Sequence, residues 1–201
     1  MVYIVGLGPG SKEYILPKAL DTLSKSNIVI GFSRALDSLD FIDSKLEVKS
    51  LKEILEFIEE KGEEKEISIV ASGDPTFYGI GEYIKTNYKG KIEIIPGISS
   101  IQYLTCKLGK SWGNAYVGSL HGREEDFIGK VKGNKLSIWL TDNKNNPSAL
   151  CRKLKENNIY CNVISGENLS YRNERILEGT PEELEKEEYS ELSIVVVERR
   201  A

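Results

Sequence analysis

Three short apolar runs in the first half of the chain each end on a glycine-bearing loop. Residues 2–5 lead into Gly6-Leu7-Gly8-Pro9-Gly10-Ser11. Residues 66–71 lead into Ser72-Gly73-Asp74-Pro75-Thr76-Phe77-Tyr78-Gly79, and residues 91–95 into Pro96-Gly97-Ile98-Ser99-Ser100. Runs rich in Ile and Val suit strands of a parallel sheet covered on both faces. Helical patterns separate them, with Leu16, Ala19, Leu20 and Leu23 on one face and Leu51, Ile54, Leu55 and Ile58 on another. A further strand is expected at 27–30. This alternation argues for an α/β architecture with mostly parallel strands. Open sheets of that kind bind ligands beyond the carboxyl ends of their strands, where all three loops would lie.

The pattern restarts near Trp112-Gly113, with strands expected at 115–118, 136–140, 159–164 and 192–198. A chain of 201 residues can therefore hold two small α/β domains, 1–110 and 111–201, with the boundary within 108–114. Helix starts are marked at four places. Ser99 with Gln102 and Thr180 with Glu183 are capping boxes, Asn146 precedes Pro147, and Asp74 before Pro75 predicts an N-cap carboxylate. The acidic residues within 182–191 read as a solvated helix face.

One histidine, His121, and three cysteines, Cys106, Cys151 and Cys161, allow no Cys-x-x-Cys pair and no His-Glu-x-x-His helix, which argues against a zinc hydrolase. Scattered cysteines in odd number suggest a reducing compartment, with the thiols expected buried and inert. Lys and Arg number 27 against 31 Asp and Glu, a net charge of −4 without a basic stripe, so nucleic acid is not an expected partner. The opening residues lack the basic flank of a secretory signal and no run approaches 18 apolar residues, so a cytoplasmic protein without membrane association is expected.

The first loop invites a dinucleotide reading, which its spacing does not support. A Gly-x-Gly-x-x-Gly fingerprint begun at Gly6 requires glycine where Ser11 stands, and Pro9 removes an amide. The second loop is more telling. Gly73, Gly79 and Gly81 weaken a helix by about 1 kcal/mol each, a cost explained by close approach of another group.

Taken together, VGLGPG, SGDPTFYG and PGISS, in this order and at this separation, resemble the tetrapyrrole methylases, and the resemblance covers essentially the whole chain. Residues 95–102, Gly118-Ser119-Leu120-His121-Gly122-Arg123, Leu140-Thr141-Asp142 and Gly166-Glu167-Asn168-Leu169-Ser170 are most similar to the members that methylate C-5 of cobalt-precorrin-7 in cobalamin biosynthesis. The resemblance implies two α/β domains with an active-site cleft between them, S-adenosylmethionine (SAM) as methyl donor, and usually a homodimer. It also raises association with a separate C-15 methylase/decarboxylase. By motif position it implies that Pro9, Gly73, Asp74, Phe77, Ser99 and Ser100 line the SAM site, with Thr141 contributing from the second domain. The glycine loop, Gly8 and Gly10 included, would lie near the macrocycle trough.

Methyl transfer to an electron-rich carbon demands alignment and exclusion of water more than an enzyme nucleophile. Arg34 and Arg123 are the candidates for gripping macrocycle carboxylates, because a guanidinium binds them bidentately. His121 is either a polar loop residue bonded to backbone or a group that contacts substrate or handles a proton. Trp139 and Tyr116 read as core residues of their strands. Other readings are methylation of another precorrin carbon, of diphthine precursors or of ribosomal RNA, and, from a different class, a nucleotide-binding module.

Overall fold

In the computed structural model, which describes residues 1–200, the apolar runs of the first half form one fully parallel sheet. Its strands are β1 (Val2–Gly6), β2 (Ile28–Gly31), β3 (Lys45–Glu47), β4 (Ile67–Ala71) and β5 (Ile92–Ile95), in the order β3-β2-β4-β1-β5. Val2 stands opposite Ile67 on one side and Ile92 on the other. Successive side chains alternate between the faces. Val5, Val29, Val70 and Ile95 meet Ala19 and Leu23 of α1 (Pro17–Lys25) and Ala35 and Leu36 of α2 (Ser33–Asp37). Ile4, Ile30, Ile67 and Ile69 meet Ile54 and Ile58 of α3 (Leu51–Lys61) and Ile84 of α4 (Ile80–Asn87). Each Val, Leu or Ile among these contributes about 1.5–3 kcal/mol on burial, which fixes the three layers. Leu20, placed on the apolar face of α1 by periodicity, is instead exposed.

The strand order also fixes where the loops go. β1 runs through α1 to β2 on one face, whereas β4 runs through α4 to β5 on the other. Since β1 and β4 are neighbours, their outgoing loops part to opposite faces, which makes the gap between them the switch point of the sheet.

The chain divides into two compact units, Met1–Ser100 and Ile101–Ala201. The composition change at 108–114 falls after α5 (Ser100–Lys107), a helix that belongs by its packing to the second unit. Leu104 of α5 lies against Gly166, and Lys107 pairs with Glu174 at 3.0 Å. The second sheet comprises β6 (Tyr116–Ser119), β7 (Leu136–Leu140), β8 (Cys161–Glu167), β9 (Arg175–Gly179) and β10 (Ser193–Arg199), ordered β6-β7-β10-β8-β9. Only β6 and β7 pair in parallel. The expectation of mostly parallel strands thus holds for the first sheet and fails for the second. Residues 168–174 are too few for a parallel crossover between β8 and β9, and β10 enters antiparallel between β7 and β8.

Helices α6 (Phe127–Gly133), α7 (Pro147–Glu156) and α8 (Pro181–Leu184) cover one face of this sheet around Trp139, which is fully buried and donates Nε1–H to Ser137 Oγ at 2.9 Å. Asn146 caps α7 and the Thr180–Glu183 capping box starts α8. The acidic stretch after it is not one helix face. α8 ends at Leu184, after which Glu185 pairs with Arg152 and Lys155 and Glu187 with Arg175. No helix among the described residues is long and apolar enough to cross a membrane.

Candidate active site

The three glycine loops meet at the switch point of the first sheet. Gly8 and Gly73 exchange backbone hydrogen bonds, N–H of Gly73 to O of Gly8 at 2.8 Å and N–H of Gly8 to O of Gly73 at 3.3 Å. Both have positive φ, +84° and +66°, a region open to glycine at no steric cost. Gly97 comes just as close from the third loop. A Cβ on Gly6 would stand 2.6 Å from Gly97 N and 2.7 Å from Gly73 O. Glycine is required here because three backbones occupy the space one side chain would need.

Asp74 ties two of these loops together. Its Oδ1 accepts from Thr76 N at 2.8 Å and from the Thr76 hydroxyl, while Oδ2 accepts from Gly97 N at 3.2 Å. It is not a helix N-cap: α4 begins at Ile80 behind Gly79, and residues 72–79 form turns. The predicted start at Pro75 fails because the carboxylate bonds across to the third loop as well as into its own turn. Phe77 is half-buried and meets the exposed Tyr78 ring edge-on at 4.9 Å. Tyr78 holds φ +51°, a left-handed conformation costly for a bulky residue.

Of the other residues singled out in the first unit, Pro9 and Gly10 are half-buried directly after the Gly8–Gly73 bridge. Ser99 is buried and Ser100 half-buried where α5 begins, so the first amides of α5, which have no acceptor within the helix, lie at the same strand end. Arg34 is exposed on α2, beyond the carboxyl end of β2 and therefore on the same edge of the parallel sheet.

The second unit gathers its own set. β6, β7 and β8 run in one direction, and their carboxyl ends carry His121 and Arg123, Thr141 and Asp142, and Asn168 to Ser170 respectively. Thr141 is buried with its hydroxyl bonded to the Ser193 carbonyl and hydroxyl, so Oγ1 is engaged within the fold. The Thr141 carbonyl lies 3.0 Å from His121 Nδ1. Asp142 accepts from Gly122 N at 3.0 Å and Asn145 N at 2.7 Å, and these amides hold its carboxyl below the ordinary carboxylate range. Glu167, buried, is paired with Arg175 and accepts from Ser190 N, so it serves the fold of residues 185–191. His121 and Arg123 are exposed.

Asp142 and Thr76 lie in motifs quoted from the sequence, but sequence reasoning gave neither a role. Asp142 stands at a strand end before an Asn-Asn-Pro helix start, a signal that could have found it; nothing local marks the Thr76 hydroxyl.

The sequence pattern of the tetrapyrrole (corrin/porphyrin) methylases matches residues 1–185. The chain is 34% identical over 209 residues to the probable cobalt-precorrin-7 C(5)-methyltransferase of Methanocaldococcus jannaschii, covering 98% of each. It is 28% identical over 204 residues to the cobalt-precorrin-7 C(5)-methyltransferase of Salmonella typhimurium, covering all of both. Among solved structures, the cobalamin biosynthesis precorrin-6Y methylase of Archaeoglobus fulgidus superposes with a TM-score of 0.80 at 26% identity, over 100% of this chain and 99% of that one. On the loops at the switch point and on these whole-length matches, the chain belongs to the tetrapyrrole methylases.

Proposed function

We propose that this methyltransferase transfers a methyl group from SAM to C-5 of cobalt-precorrin-7 in cobalamin biosynthesis. The single observation carrying the substrate is the likeness, over the whole length of both chains, to two proteins of that name. The donor's fit rests on the loops themselves. SAM presents an ammonium and ribose hydroxyls, and Asp74 has bound three donors where an ionised carboxylate can accept about four. SAM also presents a carboxylate, for which the amides opening α5 at Ser99 and Ser100 are suited donors.

When bound, SAM supplies an electrophilic methyl group on a sulfonium sulfur. The residues of this chain bind, orient and exclude water. In this reading Gly73, Asp74, Phe77, Ser99, Ser100 and Pro9 hold the donor, together with the Thr141 backbone. Gly8, Gly10, Arg34 and Arg123 meet the macrocycle, the two arginines taking its carboxylates. In-line displacement then needs alignment more than a protein nucleophile.

The test is turnover of cobalt-precorrin-7 with labelled SAM, with the product's methyl position read by NMR. Methylation at C-5 is expected, and methylation of a different precorrin alone would move the assignment within the family. Calorimetry with SAM against NAD and ATP separates the nucleotide-binding alternative. A cytoplasmic location, a homodimer and contact with a separate C-15 methylase belong to the same reading, and the two associations are checked by light scattering of the protein alone and mixed with that enzyme.

A further inference from the structure

A carbonyl oxygen can only accept a hydrogen bond, so the 3.0 Å contact between His121 Nδ1 and the Thr141 carbonyl requires the proton on Nδ1. A neutral imidazole carries one N–H, and Nε2 is then the nitrogen with the lone pair. The anchor is rigid: Thr141 is buried and locked to Ser193, and the turn is fixed by His121 N to Ser119 Oγ at 3.3 Å and Gly122 N to Asp142 Oδ2 at 3.0 Å. The ring stands on an exposed turn beyond the carboxyl end of β6, and it is the one imidazole in the sequence.

We propose that Nε2 of His121 accepts the proton released by the macrocycle during methylation, with the Thr141 carbonyl setting the competent tautomer. This rests on the methyltransferase reading above. In the step, the macrocycle carbon uses a π electron pair to form the new C–C bond, and the S–CH3 bond breaks with its electron pair remaining on the now neutral sulfur. The cationic macrocycle then loses one proton, whose bonding pair restores the conjugated system, and the proton goes to Nε2. The charged residues of the surroundings are Arg123, Glu124 and Glu125 on the same segment and Asp142 and Lys144 on the segment after β7. Of these, Asp142 interacts electrostatically with the ring, an effect on its carboxyl smaller than that of the Asn145 and Gly122 amides.

The test pairs a variant with a titration. His121→Asn places an amide N–H where Nδ1 stands, keeping a donor for Thr141 while deleting the base. On this proposal kcat and kcat/KM fall together by about 10²-fold or more, SAM affinity by calorimetry is unchanged, and added imidazole restores part of the rate. Wild-type turnover by a folded His121→Asn overturns it. Should that variant not fold, the wild-type protein decides: the acid limb of kcat/KM must coincide with the titration of the single His121 ring followed by NMR, and the lack of an inflection there overturns the proposal. A wild-type protein that binds SAM and methylates no precorrin overturns the underlying reading, and this step with it.

Discussion

The backbone nitrogen of Gly97 stands 2.6 Å from the point a Cβ on Gly6 would occupy, so the turn after β1 and the turn after β5 touch through main chain alone. This contact is possible because β1 and β5 are hydrogen-bonded neighbours whose register sets Val5 against Ile95. It makes the loop cluster a single rigid piece at the switch point.

Gly6→Ala therefore inserts a methyl group against Gly97 N, Gly73 O and Gly97 Cα, all within 2.8 Å and none able to rotate away. Overpacking of this kind costs about 1–3 kcal/mol or more, read as a lower urea midpoint of the first unit. Gly133→Ala is the control. Nothing lies within 4 Å of a Cβ at Gly133 in α6, so this variant is expected to gain about 0.4–1 kcal/mol.

Asp74→Ala removes a carboxylate that accepts from Gly97 N and Thr76 N, while the Gly8–Gly73 bridge remains. Hydrogen bonds to charged groups contribute about 1.5–3 kcal/mol, so SAM binding by calorimetry should weaken by about tenfold or more. The melting temperature should fall modestly, because the strands beneath are unaffected. Asp74→Asn should lie between, keeping one acceptor oxygen and losing the charge.

Much of this arrangement was legible in the residues. Runs such as Ile67 to Ala71 identified buried parallel strands, and the topological rule for such sheets placed their loops at one edge. Two things escaped for a physical reason. The carboxylate of Asp74 fits the local pattern of a helix cap, but one of its partners, Gly97, lies 23 positions away in sequence, and no local rule sees it. Antiparallel β10 is likewise a matter of tertiary pairing, since its apolar run reads the same in either direction. Short elements such as β3 and α6 were invisible because they contain too few residues to show a period. In the second unit the residues named by the resemblance fall at the carboxyl ends of β6, β7 and β8, whereas the locked hydroxyl of Thr141 could be learned only from Ser193 across the sheet.

The three cysteines should separate by reactivity. Cys151 and Cys161 are buried, and burial pushes their thiols up to about 12 and about 11, whereas Cys106 is exposed on α5. The expectation that all three are buried thus fails for Cys106. Since the thiolate is the reactive form, a disulfide reagent at mildly alkaline pH should titrate one thiol in the folded protein and three in denaturant. Rapid reaction of three in the native state would contradict the packing around Trp139.

Asp142 links the acid stability of the second unit to the turn that holds His121. The amides of Asn145 and Gly122 lower its carboxyl in the folded protein, while in the unfolded chain it titrates near the ordinary value of about 4. Above that value it is ionised in both states and its stabilising contribution is complete. As pH falls below it, the unfolded chain takes up the proton first and the contribution is lost progressively, until the folded carboxyl is protonated too. Glu174, Glu183 and Glu185 are also lowered and share this sign, so the wild-type curve alone does not isolate Asp142. The difference between wild-type and Asp142→Asn urea midpoints does: it should be largest at neutral pH and shrink on acidification through the carboxylate range. Because Gly122 N is one of the donors released, the same variant should broaden the His121 ring resonances at neutral pH, while a difference that stays constant with pH would show that the amides bind the aspartate no better ionised than neutral.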